Sequence, residues 1–162
     1  MVNPIRPTDD EARALARQLM KDARFAAIGV LSDGAPMVTR VAFGLDENGA
    51  PITLVSDLSA HTRALQSKPL CSLLVGEPGA KGDPLTHPRL TIQAQAGFVD
   101  HGTEEYKEMA AHYLRSHPKS KLYIDFTDFR FVRFEATAAH LNGGFGKAFV
   151  LTPADLGQAR QA

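Results

Sequence analysis

Three short apolar runs, each bounded by turn-forming residues, follow one another in the first third of the sequence. They are FAAIGVL (25–31), MVTRVAFG (37–44) and ITLVS (52–56), and the segments SDGAP and DENGA separate them. Runs of this length are typical of β-strands, and connections this short join strands that pair in opposite directions. The pattern therefore predicts an antiparallel meander.

Three more runs extend the predicted sheet. CSLLVG (71–76) and RLTIQAQAGFVD (89–100) flank a polar loop, and FRFVRFEATAAHLN (129–142) suits one long or bulged strand. Six strands with short connections and helices at the ends favour a small, closed or nearly closed Greek-key barrel. We therefore predict a mainly β (α+β) fold, and the length of 162 residues predicts a single domain over 1–162.

Apolar residues recur at helical spacing in two segments. The first predicted helix covers 9–22, where TDDE has the pattern of a capping box in which Thr8 and Glu11 exchange hydrogen bonds. The second covers 103–116, with Thr103 at its start and Pro118 just beyond its end. We expect the second helix to flank the barrel.

The charge balance limits the classes of partner. Lysine plus arginine and aspartate plus glutamate each number 18, so no global field attracts nucleic acid or an anionic membrane. The sequence has neither a run of about 18 apolar residues nor the apolar core of a signal peptide. The single cysteine, Cys71, lies in an apolar run and is expected in the core. We therefore expect a cytoplasmic protein that binds neither nucleic acid nor membrane.

Motifs of the common hydrolases and metalloenzymes are missing. The chain has no HExxH, paired CxxC, GxSxG or strand-linked GxGxxG motif. GGFGKA (143–148) lacks the first glycine and the Ser or Thr of a phosphate loop, which leaves a tight turn or a close backbone approach to a ligand or partner. The catalytic residues are therefore unknown, and no metal site is expected.

Hydrogen-bond donors are concentrated in SDLSAHTRAL (56–65), directly after the third run. One interpretation is a phosphate site in which free N–H groups of a new helix act with Ser56 and His61, and a dianion there would favour protonated His61. The other is an ordinary helix start that Asp57 or Ser59 caps while the other side chains meet water.

Three residues on other strands favour the first interpretation. Thr39 and Arg40 lie within a run that otherwise reads as core-forming, and Arg89 opens another strand. An arginine at such a position lies on an exposed face or has an anionic partner, and in the second case these residues and the donor-rich segment could converge on one cleft at the barrel edge.

The ordered set AAIGVLSDGAPMVTRVAF, ITLVSDLSAHTRAL, CSLLVG, PRLTIQAQA and GGFGKAF resembles the pyridoxamine 5′-phosphate oxidase-like FMN-binding split-barrel superfamily, and most of all its haem-utilisation branch. The resemblance covers about Arg24 to Phe149. It implies a six-stranded split barrel that forms a homodimer, with FMN bound at the subunit interface.

The same resemblance implies which residues contact the cofactor. Ser56, His61 and Thr62 would bind the FMN phosphate, and Val41 would contribute through its main chain. GGFGKAF would pack near the cleft, with Phe145 either there or in the core. The full set implied to bind the cofactor is Thr39, Arg40, Val41, Ser56, Leu58, His61, Thr62 and Arg89.

The function that the resemblance implies is an FMN-dependent oxidoreductase acting on a small-molecule substrate or electron acceptor, with Arg40 stabilising the reduced flavin. The substrate is unknown, and a haem-related one is considered because of the haem-utilisation branch. The alternative is a haem- or flavin-binding carrier or sensor without turnover. His140, His101 and Tyr123 are the residues considered as ligands of haem iron.

Overall fold

The computed structural model describes residues 3–158, which form eight strands, three α-helices and three short 3-10 turns. The helices are α1 (Asp10–Asp22), α2 (Ala60–Ser67) and α3 (Glu104–Ser116). The strands are β1 (Phe25–Ser32), β2 (Ala35–Ala42), β3 (Gly44–Leu45), β4 (Pro51–Ser56), β5 (Leu70–Val75), β6 (Arg89–Val99), β7 (Phe129–Asn142) and β8 (Ala148–Leu151). All pairs of named strands are antiparallel.

The strands form one sheet in the order β2-β1-β5-β6-β7-β4-β3, with β8 paired to β7. β4 lies beside β7 rather than beside its sequence neighbour β5, which is a Greek-key crossover. β2 and β4 approach each other without pairing in the described part of the chain, so the barrel is split along this line. The predicted split-barrel fold is confirmed.

The barrel interior is filled by alternate residues of the strands. Ile28, Leu73, Ile92 and Phe134 are fully buried there, because successive side chains of a strand point to opposite faces. α2 packs against β1 and adds Leu65 to the same core. This interior leaves the other face of β1, β2 and β5 for solvent or a ligand.

A second apolar cluster forms where α3 covers the opposite side of the sheet. Tyr113 of α3 packs edge-on against Phe131 of β7, and Ile52 and Leu54 of β4 belong to the same cluster. β4 is therefore buried on both faces, which explains why PITLV is apolar without alternation.

The six predicted strands correspond to β1, β2 and β4–β7, whereas β3 and β8 were not predicted. The predicted meander is wrong at its third member, because β4 pairs with β7 and not with β2. The turn DENGA joins β4 to the two-residue β3, and Asp46 accepts hydrogen bonds from the main chain of Asn48 and Ala50 there. The bulge predicted for β7 is present: the register shifts opposite Gln93 and Ala94, leaving Thr137 as the extra residue.

The two predicted helices are present, but the predicted capping box of α1 is wrong. Asp9 caps α1 by accepting the N–H of Ala12 at 2.8 Å, while the Thr8 hydroxyl donates to the main-chain oxygen of Val150 at 3.0 Å. Thr8 is drawn away because the segment before α1 runs along β8. Thr103 caps α3 as predicted. Within residues 3–158, every helix is too short or too polar to cross a membrane.

Candidate functional site

A cleft of about 750 Å³ lies on the outer face of β1, β2 and β5. The C-terminal end of α1 borders it on one side, and the segment 76–78 after β5 borders it on another. Its apolar lining includes the outward-facing residues Phe25, Ala27, Val38 and Leu74. The volume lies in the range of ligand-binding clefts, roughly 300–1,000 Å³.

Two arginines line this cleft. Arg40 of β2 lies opposite Ala27 of β1, and its guanidinium carbon is 5.2 Å from the centre of the Phe25 ring. Arg24 precedes β1 and also lines the cleft. Neither arginine forms an ion pair with a carboxylate of residues 3–158. The cleft therefore offers two guanidinium groups to an anionic ligand, and the carboxylates of Asp22 and Glu77 also lie on its border.

The alternation of β2 separates the residues predicted to lie along the flavin. Thr39 lies opposite Ile28 and Val41 opposite Ala26, so both point toward the barrel interior, whereas Arg40 points outward. Val41 is buried in the core. Thr39 still borders the cleft.

The structure joins two of the predicted residues directly. The hydroxyl of Thr39 lies 3.0 Å from Nδ1 of His61, which ties β2 to the first turn of α2. Burial lowers the pKa of His61, which favours a neutral ring near pH 7. The protonated form expected beside a dianion is therefore not favoured by the surroundings of this histidine.

Ser56 and Asp57 have partners elsewhere in the chain. The Ser56 hydroxyl donates to Asp128 Oδ2 at 3.0 Å and accepts the N–H of Leu58 at 3.2 Å. The Asp57 carboxylate pairs with Arg130 at 2.8 Å, so the expectation that it caps α2 is wrong. The helix starts after Ser59, whose side chain makes no capping hydrogen bond.

Thr62 and Leu58 lie on opposite sides of this segment. Thr62 is fully buried among core residues, and its hydroxyl has no hydrogen-bond partner within residues 3–158. Leu58 is 78% exposed. These two side chains therefore do not face one common pocket.

In this conformation two side-chain donors of the predicted phosphate clamp already have a partner or are buried. The Ser56 proton is held by Asp128, the carboxylates of Asp57 and Asp128 lie beside it, and Thr62 is inaccessible. Asp57 is neutralised by its ion pair with Arg130, so the Asp128 carboxylate is the charge beside Ser56 that would repel a phosphate dianion. His61 remains as a side-chain donor, beside main-chain N–H groups at the start of α2.

Arg89 shapes a neighbouring loop instead of lining the cleft. Its guanidinium donates to the main-chain oxygens of Leu85 at 2.9 Å and His87 at 3.3 Å. Its main chain passes close to Gly76, where a Cβ would come within 2.8 Å of the Arg89 Cα. Arg89 thus supports the loop that borders the cleft.

The GGFG segment forms a tight turn. Gly144 and Gly146 have φ of 126° and 71°, and the N–H of Gly143 donates to the oxygen of Lys147 at 2.8 Å. Phe145 is 93% exposed, so the expectation that it belongs to the core is wrong. The turn approaches the loop beside the cleft, because a Cβ on Gly144 would lie 3.4 Å from the Thr86 oxygen.

The three residues considered as iron ligands lie in different places. His140 is exposed and belongs to the cross-strand row Arg40–Ala27–Leu74–Thr91–His140 on the outer face. His101 and Tyr123 contact Tyr106 and Phe129 near the second cluster. No group of three or more metal-binding side chains occurs within the described residues.

Sequence reasoning missed the apolar lining of the cleft and the residue Asp128. The sequence analysis assigns Phe25, Val38 and Leu74 to strands but not to a face of the sheet. Alternation with Ile28 and Leu73 marks them as outward-facing. Asp128 is separated from Ser56 by 72 positions, and nothing in its local sequence marks the contact.

The fold defines a split-barrel protein with a cleft of ligand-binding size on the outer face of its sheet. The family model described as "CREG, beta-barrel" matches residues 7–156, and the chain belongs to this family. The predicted resemblance to pyridoxamine 5′-phosphate oxidase-like split barrels and their haem-utilisation branch is confirmed.

Two similar proteins and one structure that shares the fold illustrate this similarity. "Non-canonical heme oxygenase HOZ, chloroplastic" of Arabidopsis thaliana is 34% identical over 120 residues, which cover 73% of this chain and 35% of that protein. The "heme binding protein from Mycobacterium smegmatis" is 28% identical, with a TM-score of 0.81 over 94% of this chain and 61% of that chain. A Clostridium acetobutylicum protein related to general stress protein 26, of the pyridoxinephosphate oxidase family, is 13% identical, with a TM-score of 0.69 over 92% and 99%. This chain thus spans about a third of the length of the curated relative.

Proposed function

We propose that this protein binds haem in the cleft on the outer face of β1, β2 and β5. The observation that carries the proposal is an apolar cleft of about 750 Å³ that contains two arginines without carboxylate partners among residues 3–158. Relatives whose names describe a heme oxygenase and a heme binding protein support it.

The chemistry of the cleft suits a flat apolar ring with two carboxylates. Phe25, Val38 and Leu74 provide apolar surface, and the small side chain of Ala27 leaves room between them. Guanidinium groups bind carboxylates through charge-assisted, often bidentate hydrogen bonds. Arg24 and Arg40 would hold the two carboxylates.

We propose His140 as the iron ligand. It is the histidine that shares the outer-face row with Arg40, whereas no histidine lines the cleft itself within residues 3–158. Its ring is exposed, without a hydrogen-bond partner in the described part of the chain that would occupy its nitrogens. Bound haem would supply an iron centre for oxygen or electron chemistry.

We propose that a second copy of the chain covers the outer face and encloses the ligand. Val38 is 70% exposed, and Phe25, Leu31, Leu70 and Leu74 are exposed on the same face of three adjacent strands. A second groove of about 480 Å³ continues along this face past Gly29 and Ser72. Contiguous exposed apolar surface of this kind marks interaction sites.

An FMN-dependent oxidoreductase is the second candidate function. The hydrogen bond between Thr39 and His61 favours it, because it brings two predicted cofactor residues together. The positions of Asp128 and Thr62 weigh against it. Absence of flavin absorption in the purified protein, and no quenching of added FMN fluorescence, would remove this candidate.

The haem proposal is tested by titrating the purified full-length chain with hemin and following the Soret band. A saturable shift supports binding, and an unchanged spectrum of free hemin overturns the proposal. Addition of a reductant under air then separates two activities. A stable Soret band indicates a carrier or sensor, and decay with stoichiometric iron release indicates an enzyme that degrades haem.

A further inference from the structure

The loop that joins β5 to β6 forms part of the cleft border and has little apolar anchoring. Glu77 and Pro78 line the cleft, and all side chains from Glu77 to Thr86 are exposed. Because burial contributes little here, hydrogen bonds must fix the conformation of this loop.

The hydrogen bonds of the first half of the loop meet at His87. Its Nδ1 accepts the main-chain N–H of Gly79 at 2.9 Å, and its Nε2 lies 2.7 Å from the main-chain oxygen of Lys81. A carbonyl oxygen only accepts, so Nε2 must carry a proton, and an amide N–H only donates, so Nδ1 must carry none. The loop conformation therefore requires the neutral imidazole ring.

The second half of the loop is held by other groups. The Asp83 carboxylate accepts the N–H of Leu85 at 2.9 Å, and Arg89 donates to the oxygen of Leu85 at 2.9 Å. Neither bond involves the His87 ring. Loss of the ring contacts would therefore free the half that reaches the cleft while leaving 83–89 in place.

Charged groups near His87 come from three parts of the chain. Glu77, Lys81 and Asp83 come from the loop itself, and Arg89 comes from β6 and binds the His87 main-chain oxygen. The neighbouring turn 143–147 approaches the loop at Thr86 and carries Lys147. These groups have mixed sign.

We infer that His87 is a proton-controlled latch for the border of the cleft. Protonation makes both ring nitrogens donors, so Nδ1–H and the N–H of Gly79 then face each other and their hydrogen bond is lost. The charged ring still donates its Nε2–H to the Lys81 oxygen, so the release is confined to the segment before Lys81, which carries Glu77 and Pro78. The latch follows from the loop geometry, and its control of haem binding rests on the proposed function.

The latch is tested without any ligand by NMR of the full-length chain. The amide exchange rate of Gly79, relative to that of an unstructured peptide, should rise about tenfold from pH 8 to pH 5, as the Cε1 proton of His87 titrates. In His87→Asn, the Oδ1 atom accepts the same N–H but does not ionise, so the relative rate should stay constant. His101→Asn is the matched control and should behave like the wild type.

Two results would overturn the latch. One is constant protection of Gly79 while His87 titrates, and the other is an equal rise in exchange in His87→Asn. A variant that fails to fold, seen as loss of dispersion across the spectrum, leaves the wild-type titration to decide.

Control of the ligand is tested by hemin release into excess apomyoglobin at pH 8 and pH 6. Release from the wild type should be several-fold faster at pH 6, and release from His87→Asn should change much less. Equal pH effects in both proteins would overturn control of the cleft by His87. If hemin binds neither protein, the proposed function fails, and the amide exchange experiment still decides whether the latch exists.

Discussion

The hydroxyl of Thr39 in β2 and Nδ1 of His61 in the first turn of α2 lie 3.0 Å apart, across the line where the barrel is split. This hydrogen bond connects the helix that packs against β1 to the strand that carries Arg40. It places an ionisable ring in a half-buried position beside the inner face of β2.

The stability of the protein should depend on the ionisation of His61. Burial lowers the pKa of His61 below its ordinary value of 6.5, so the unfolded chain binds this proton more readily than the folded one. The contribution to the free energy of unfolding is complete above that value and is lost as the pH falls below it. Urea unfolding from pH 7 to pH 5 should show a smaller loss of stability in His61→Gln than in the wild type. Identical pH dependence, or an NMR titration of His61 above 6.5, would contradict this assignment.

Arg130 should contribute measurably to stability because it connects three elements. Its guanidinium group pairs with Asp57 at 2.8 Å and with Asp100 at 3.3 Å. The guanidinium carbon of Arg130 lies 4.4 Å from the centre of the Phe98 ring. We predict that Arg130→Met lowers the free energy of unfolding by about 1–2 kcal/mol, since the group is partly screened by solvent.

The matched control for Arg130 is Arg63→Met. The Arg63 side chain makes one hydrogen bond, to the main-chain oxygen of Leu58, and is exposed. Arg63→Met should lower the free energy of unfolding by less than about 0.5 kcal/mol. Equal losses in the two variants, measured by denaturant unfolding, would refute the proposed role of Arg130.

His140 should determine the spectrum of the haem-loaded protein. If its imidazole binds the iron, His140→Ala should shift or broaden the Soret band of the hemin complex, because the axial ligand is removed. His101→Ala, which alters a histidine near the second cluster, should leave that band unchanged. Identical spectra of wild type and His140→Ala would show that the iron ligand lies elsewhere.

Val38 should be part of a subunit interface. Light scattering after size exclusion should give the wild type about twice the chain mass of 17.5 kDa. Val38→Glu places a charge on the outer apolar face and should yield a monomer. Leu122→Glu, at a residue 81% exposed on another part of the surface, should remain dimeric. A monomeric wild type would contradict the proposed dimer.

Much of the barrel could be predicted because strand periodicity and turn residues are local signals. β1, β2 and β5–β7 alternate between core and surface, which period-two patterns reveal. The partner of β4 could not be predicted, because a strand buried on both faces carries no information about its neighbour. β3 was missed because its two residues are too few to form a pattern.

The candidate site was predicted only in part, since its contacts are long-range. The segment after β4 has the expected donors, but their partners lie far away in the sequence. Asp128, 72 positions from Ser56, accepts the hydrogen bond of its hydroxyl, and Arg130, 73 positions from Asp57, pairs with its carboxylate. Arg40 points away from the barrel interior because its neighbour in the strand, Val41, points into it, and successive side chains of a strand face opposite sides. The local sequence identified residues with hydrogen-bonding capacity but not the partners that already occupy them.

The central claim is that haem binds in the cleft above Ala27, and hemin titration of three proteins tests it most directly. The wild type should bind one hemin per chain with a saturable Soret shift. Ala27→Trp fills the cleft from an outward-facing position and should abolish that shift. Arg40→Met should weaken hemin binding roughly 10- to 100-fold, because a charge-assisted hydrogen bond to a haem carboxylate is lost. Unaltered hemin affinity in both variants, or no Soret shift with the wild type, would contradict the account.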